Sequence, residues 1–186
     1  VVAELADGSL RAFWFGGARE GATDAAIYSA DYAQGVSSWS KETVALTPKQ
    51  LQGDLQRWVR KVGNPVVTRD RQGRLHLFVV SVTAGGWAAS SINTMVSDDD
   101  GASWGRARRL VVSPFLNLST LVKGAPVVYG DGHFGVPVYH ELATKFGELL
   151  HVTENGEVLG KTRLSQGGFS LQPIILPRGA NHAVAF

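Results

Sequence analysis

The strongest chemical suggestion in this sequence is three aspartates in a row, within SDDDGASW at 97–104. Such a run suits one of three tasks. Carboxylates hold a hard cation through oxygen, exchange protons with a substrate, or fold a turn by accepting loop amides. Read with gaps, the stretch is Ser97-x-Asp99-x-Gly101-x-Ser103-Trp104, which favours the turn. Ser97 and Asp99 carry short acceptors, Gly101 admits a positive φ, and Trp104 is spaced to pack under the loop. A degenerate copy, YSADYAQGVSSW, stands at 28–39, and TENGE at 153–157 reads as a plain hairpin turn. The expected role of Ser97, Asp99, Gly101 and Trp104 is therefore structural, and no metal site is expected.

A second set of residues suits ligand chemistry better. Arg19 can clamp a carboxylate with two parallel hydrogen bonds. Glu20, Asp24 and Glu141 can act as acid or base. Trp87, between Gly86 and Ala88, can stack on a sugar face. His140 sits beside Glu141, and Asn64, Lys123 and Gln172 stand at or just before apolar strand-like runs. The histidines show no ligand spacing, so neither a catalytic metal nor a cofactor is expected.

These residues need a scaffold, and the turns reveal it. VVAELADGSLRAFWF (1–15), NPVVTRDRQGRLHLFVV (64–80), APVVYGDGHFGVPVY (125–139) and QPIILPRGANHAVAF (172–186) each read as strand, tight glycine turn, strand. Pro65, Pro126 and Pro173 open three of them, a position a strand tolerates. Each of the first three is followed by two more strand-like segments: 24–30 and 41–47, 91–97 and 104–112, 147–153 and 157–164. The unit is four antiparallel strands, and units of that spacing read as β-propeller blades. The expected fold is all-β, a single partial propeller. Blade 1 covers 1–47, blade 2 covers 64–112, blade 3 covers 125–164, and a fourth starts at 171–186. Between the first two, TPKQLQGDLQRWVRKVG predicts a helix at 48–62 capped by Thr47 and Gly63, with Pro48 in its first turn.

Strand alternation then sorts the loops. Turns between strands one and two, and three and four, share one rim with the Asp99 loop. Loops between strands two and three, and between blades, share the other. The second rim holds the long loops, where sites usually live. Arg19, Glu20, Asp24, Trp87 and Glu141 all fall there.

Composition closes some routes. Of 186 residues, 44% are hydrophobic and 18% charged, which is a globular balance. Eighteen basic against 16 acidic residues leave a net charge of +2, too little to predict a nucleic-acid partner. No apolar run reaches membrane-spanning length, so no membrane partner is expected either. The absence of cysteine leaves the compartment open. The chain begins in the strand-like run VVAEL, which reads as a fragment or trimmed start. An open stack of blades exposes apolar faces, so self-association is expected.

The segments FWFGGAREGATDAAIYSAD (13–31), KVGNPVV (61–67), GGWAASSIN (85–93), GAPVVYGDGHFGVPVYHEL (124–142) and SLQPIIL (170–176), with the Asp-box motif at 97–104, resemble the sialidase-like BNR-repeat proteins over essentially the whole chain. The resemblance implies a propeller that is six-bladed when complete, of which about three and a half blades are present. It also implies a glycoside hydrolase acting on a carbohydrate, or a non-catalytic carbohydrate-binding or interaction propeller. In many bacterial sialidases the matching strand ends in Asp-x-Arg, with the Asp as acid. This chain has Gly17-Ala18-Arg19 there, and Glu20 or Asp24 is the nearest replacement.

Overall fold

The computed structural model describes the chain apart from residues 20, 21, 23, 167, 180 and 181. The described part is built of antiparallel sheets. The first contains β1 (Val2–Glu4), β2 (Leu10–Gly16), β3 (Ala26–Tyr32) and β4 (Thr43–Leu46), in chain order. Helix α1 (Pro48–Leu55) follows, and then a second sheet of β5 (Lys61–Arg69), β6 (Leu75–Val82), β7 (Ser90–Ser97) and β8 (Arg108–Arg109). The third holds β9 (Leu121–Val122), β10 (Val127–Val128), β11 (Phe134–His140), β12 (Phe146–Val152) and β13 (Val158–Arg163), with β9 and β10 both paired to β11. A final hairpin joins β14 (Ile175–Pro177) to β15 (Ala183–Ala185). Gly8, Gly73, Gly132 and Gly179 turn the first hairpin of each unit with φ of +80°, +86°, +91° and +115°, which a side chain would resist.

Strand β6 explains how the sheets stack. Its sequence LHLFVVSV is apolar almost throughout, and every residue in it is buried. Alternate side chains leave opposite faces of a strand. Leu75, Leu77 and Val79 join Phe13, Ile27 and Leu46 of the first sheet and Leu51 of α1. Phe78, Val80 and Val82 join Phe134, Val136, Val138 and Leu150 of the third. One strand is thus covered on both faces, as its composition requires. Each such side chain contributes about 1.5–3 kcal/mol of burial.

The structure departs from the sequence reading in three places. Helix α1 stops at Leu55 rather than Val62, with Gln56 in the left-handed region as its C-cap. The start is as expected: Thr47 accepts from the Gln50 amide, and the Gln50 side chain reaches back to the Thr47 amide. The second half is a turn and an irregular stretch that leads into β5 at Lys61 and Val62. Lys61 and Val62 pair with Val82 and Ser81, and Val59 and Val62 reach the core without a helical turn. The fourth strand of the second sheet shrinks from 104–112 to Arg108–Arg109. Arg106 donates to the Asp54 carbonyl at 3.0 and 2.8 Å, and the Ala107 amide donates to the Asp54 carboxylate at 2.9 Å. The end of α1 holds Arg106 and Ala107, while the Gly105 and Leu110 amides still donate to the Val96 and Ile92 carbonyls of β7. Finally, the inner strand of the third sheet is split into β9 and β10. In the second sheet, β5 carries a register shift between Gly63 and Val66, at the equivalent Xaa-Pro step.

One rim is closed by hydrogen bonds. Asp99 accepts from the Ser97 hydroxyl at 2.7 Å, the Ser103 amide at 2.8 Å and the Ser103 hydroxyl at 2.5 Å. Those bonds, Ser103 first, hold its carboxyl down to about 2. The Gly101 amide donates to the Ser97 hydroxyl at 2.7 Å, and Trp104 meets Phe13 edge-on at 5.9 Å. Asp100 reaches outward: it pairs with Arg69 at 2.6 Å and accepts from the Ala6 amide at 3.1 Å, while its carbonyl accepts from Arg11 at 2.9 Å. The loop folds a turn and also ties the second sheet to the first. On the same rim the buried Asp70 accepts from His76 and Arg74, and Arg74 continues to Glu154 of the third sheet.

Candidate functional site

Register fixes the other rim. Gly16 pairs with Ala26, Val82 with Lys61 and Ser90, and His140 with Phe146, all at the strand ends away from Asp99. The loops holding Arg19, Asp24, Trp87, His140 and Glu141 leave from these ends. Glu20 lies outside the described residues.

The backbone brings three groups together where the inner strands begin. Asn64 and Gln172 both precede a proline and both hold left-handed backbone, with φ of +45° and +55°. A residue before proline is normally driven to extended geometry. Strain of this kind clusters at binding and switch positions. The Asn64 amide donates to the Tyr139 hydroxyl at 3.4 Å, and the Gln172 side chain acts on the same hydroxyl, pulling its pKa down. Tyr139 is itself buried in the core, and burial, followed by the charge of Glu141, raises its hydroxyl pKa above the usual tyrosine value. Residues of three sheet units therefore meet at one phenol. Beside them a cleft of about 190 Å³ is lined by Trp14, Phe15, Asn64, Pro65 and Lys123. Lys123 is exposed, and the Trp14 ring stacks on Tyr28 at 6.2 Å.

Arg19 and Asp24 stand apart from this cluster. Arg19 is exposed and makes no ion pair among the described residues. Asp24 braces its own loop, both carboxylate oxygens accepting from the Ala18 amide at 3.4 and 3.2 Å. It lines a different cleft, with Lys49, Gln52, Trp58 and Arg60. A side chain added at Gly17 would come within 2.9 Å of the Ala25 Cα and 3.1 Å of the Asp24 carboxylate. The Ala25 backbone and the Asp24 carboxylate fill the space beside Gly17.

Trp87 is half-buried and braced by its neighbours. It occupies a 3₁₀ turn, Trp87–Ala89, and lies against Gly63, where a Cβ would sit 2.7 Å from the ring. The Lys61 ammonium lies 4.0 Å from its ring centroid. His140 donates or accepts at Glu148, 2.8 Å away, and its ring stacks on Phe146 at 4.4 Å. The Glu141 amide donates to Ser119 at 2.8 Å, which fastens this strand end to the loop 113–120. Among the described residues no group of three or more His, Cys, Asp or Glu is placed to hold a metal ion, and no helix is long and apolar enough to cross a membrane.

Sequence reasoning missed Tyr139, Trp14 and Glu148. Tyr139 lies inside a strand whose neighbours are apolar, and Glu148 meets His140 only across β11 and β12. The prolines after Asn64 and Gln172 were the only local signal of that cluster.

Known proteins give the frame for this geometry. A Hadza microbial sialidase superposes with a TM-score of 0.71 at 14% identity, over 94% of this chain and 38% of that one. The NanB sialidase from Streptococcus pneumoniae gives 0.67 at 9%, over 95% and 45%. An exo-β-1,3-galactanase from Clostridium thermocellum gives 0.66 at 11%, over 96% and 39%. At such identities the likeness is one of fold, and this chain spans less than half the length of each of these structures. No curated protein matches the chain significantly. The BNR repeat-like domain does match, over residues 8–186. With that match running through the Asp99 turn and the stacked four-stranded sheets, the chain belongs to the BNR repeat-like domain family.

Proposed function

We propose that this chain forms part of a sialidase-like glycoside hydrolase. Blades at 1–47, 64–112 and 125–164, the link at 48–62 and the beginning of a fourth blade at 171–186 belong to a β-propeller that is six-bladed when complete. The enzyme is exo-acting, and an acidic sugar is the first substrate class to test. The observation that carries the reading is the meeting of Asn64 and Gln172 on the Tyr139 hydroxyl. It gathers hydrogen-bonding groups from several blades around one axis, beside a cleft with an aromatic wall and a cation. Arg19 serves as carboxylate clamp. Asp24 serves as acid or base in place of the side chain that Gly17 lacks. Glu141, and Glu20 on the first loop, supply further acid–base groups, while Trp87, His140, Asn64, Lys123 and Gln172 bind the sugar.

One observation favours a second reading, a carbohydrate-binding propeller without catalysis. Position 17 has no room for a carboxylate, and the Asp24 oxygens are already engaged by the Ala18 amide. The full-length protein assayed against methylumbelliferyl glycosides of N-acetylneuraminic acid, galactose and arabinose separates the two. Hydrolysis that is lost in Asp24→Asn supports the enzyme. Glycan binding without turnover supports the binding protein. Neither hydrolysis nor binding contradicts both.

A further inference from the structure

The geometry points to His140 and Glu148 as a proton-accepting pair on the long-loop rim, in which Glu148 fixes the imidazole and His140 Nδ1 takes a proton from a bound hydroxyl or water. The pair rests on three observations. His140 Nε2 and Glu148 Oε2 are 2.8 Å apart, with side chains only 13% and 9% exposed. A carboxylate at that distance selects the tautomer with hydrogen on Nε2. The lone pair is then on Nδ1, which has no hydrogen-bond partner among the described residues and is not one of the buried unpartnered atoms. It is therefore open to an incoming donor. The ring is also held against rotation, stacked on Phe146 at 4.4 Å, with the Arg163 guanidinium 3.5 Å from the same Phe146 ring.

The charged neighbours set the proton affinity. Burial lowers the His140 pKa below the usual histidine value, the Glu148 carboxylate works against that, and Lys161 and Arg163 reinforce it. Lys161 also lies 3.6 Å from Glu148. The imidazole is thus neutral, with a free lone pair, at neutral pH. In the step it performs, an O–H bond breaks and an N–H bond forms at Nδ1. The oxygen keeps the electron pair, and the imidazolium is stabilised by Glu148. A base aligned by a carboxylate is the general pattern of an activated site, whatever the fold. The ligand role rests on the carbohydrate reading above, but the pair itself does not.

Two measurements on the full-length protein keep the two apart. Nitrogen-15 spectra of histidine-labelled protein read the tautomer directly. They are expected to show His140 as the Nε2–H form, with a pKa that falls further in Glu148→Gln. The Nδ1–H form, or an unchanged pKa in Glu148→Gln, overturns the pair. Kinetics on the glycoside panel read the role. His140→Gln is expected to lower kcat by about 100-fold or more, a larger effect than any on KM. Glu148→Gln should shift the acid limb of kcat/KM to lower pH, a change that loose packing alone would not give. Full activity in His140→Gln with an unaltered pH profile overturns the role. If the spectra agree and no glycoside is hydrolysed, the proton acceptor stands and the hydrolase reading falls.

Discussion

The two rims of this molecule contain similar residues and treat them differently. On the Asp99 rim nearly every charge is answered by another group. Asp70 accepts from His76, from Arg74 and from two amides; Asp100 accepts from Arg69 and Ala6; Arg11 holds Asp31 at 2.6 and 2.8 Å. On the long-loop rim, groups are held by one side only. His140 is bonded at Nε2, Arg19 makes no ion pair among the described residues, and Lys123 faces solvent at a cleft. Saturated polar groups have little left to offer a ligand, whereas a braced but unsaturated one keeps a bond in reserve. Acid-rich sequence alone would have selected the saturated rim.

The largest effect expected on the closed rim is that of Asp70→Ala. It strips a buried carboxylate from His76 and Arg74, leaving His76 without its partner and Arg74 with Glu154 alone. Urea denaturation should show a loss of about 3–5 kcal/mol, with ligand binding unchanged in the folded fraction. A much smaller loss would mean that the Asp70–Arg74–Glu154 chain does not join the sheets.

Arg19→Ala should behave in the opposite way. Melting should move by no more than about 0.5 kcal/mol, while ligand affinity falls about 10- to 100-fold, the scale of a charged hydrogen bond. Arg19→Lys should recover only part of the affinity, because the planar fork is lost. Coupled losses of stability and affinity would erase the distinction between the rims.

The pH dependence of folding sharpens the same contrast at smaller amplitude. His76 is buried against Asp70, and burial holds its pKa below the ordinary 6.5. Above that pH both folded and unfolded chains carry it neutral, and its contribution is complete. As pH falls through 6.5 the unfolded chain takes a proton the folded chain resists, so stability declines. Asp99 acts lower: its stabilisation is present above 3.8 and is lost as pH falls toward 2. Thermal melts from pH 8 to 2 should show both losses. Asp99→Ala should melt at a lower temperature than the parent at neutral pH and show a smaller step below 3.8.

Much of the scaffold was legible because its signals are local. A turn that needs left-handed backbone asks for glycine, so Gly8, Gly73, Gly132 and Gly179 marked the hairpins. Thr47 and Pro48 marked the beginning of α1 for the same kind of reason. Its end was not legible, because a distant strand competes for Lys61 and Val62 and wins. The same holds for the candidate site. Asp100 finds Ala6 and Arg69 far along the chain, and His140 finds Glu148 only through the register of β11 and β12. Trp87 showed loop glycines to the reader, but its ring lies on Gly63, two strands away in the sequence. Partners set by tertiary pairing leave no mark on the spacing of either residue.

Tyr139→Phe is the most direct trial of a rim built for ligands. It keeps the buried ring and removes only the hydroxyl on which Asn64 and Gln172 converge. Titration of the full-length protein with the best-bound methylumbelliferyl glycoside, alongside a thermal melt, gives both readouts from one variant. The account predicts affinity lowered about tenfold, the scale of one hydrogen bond of about 1.4 kcal/mol, with little change in melting temperature. Unchanged affinity with a lowered melting temperature would mean that the cluster is a structural knot like those on the opposite rim, and would contradict the account.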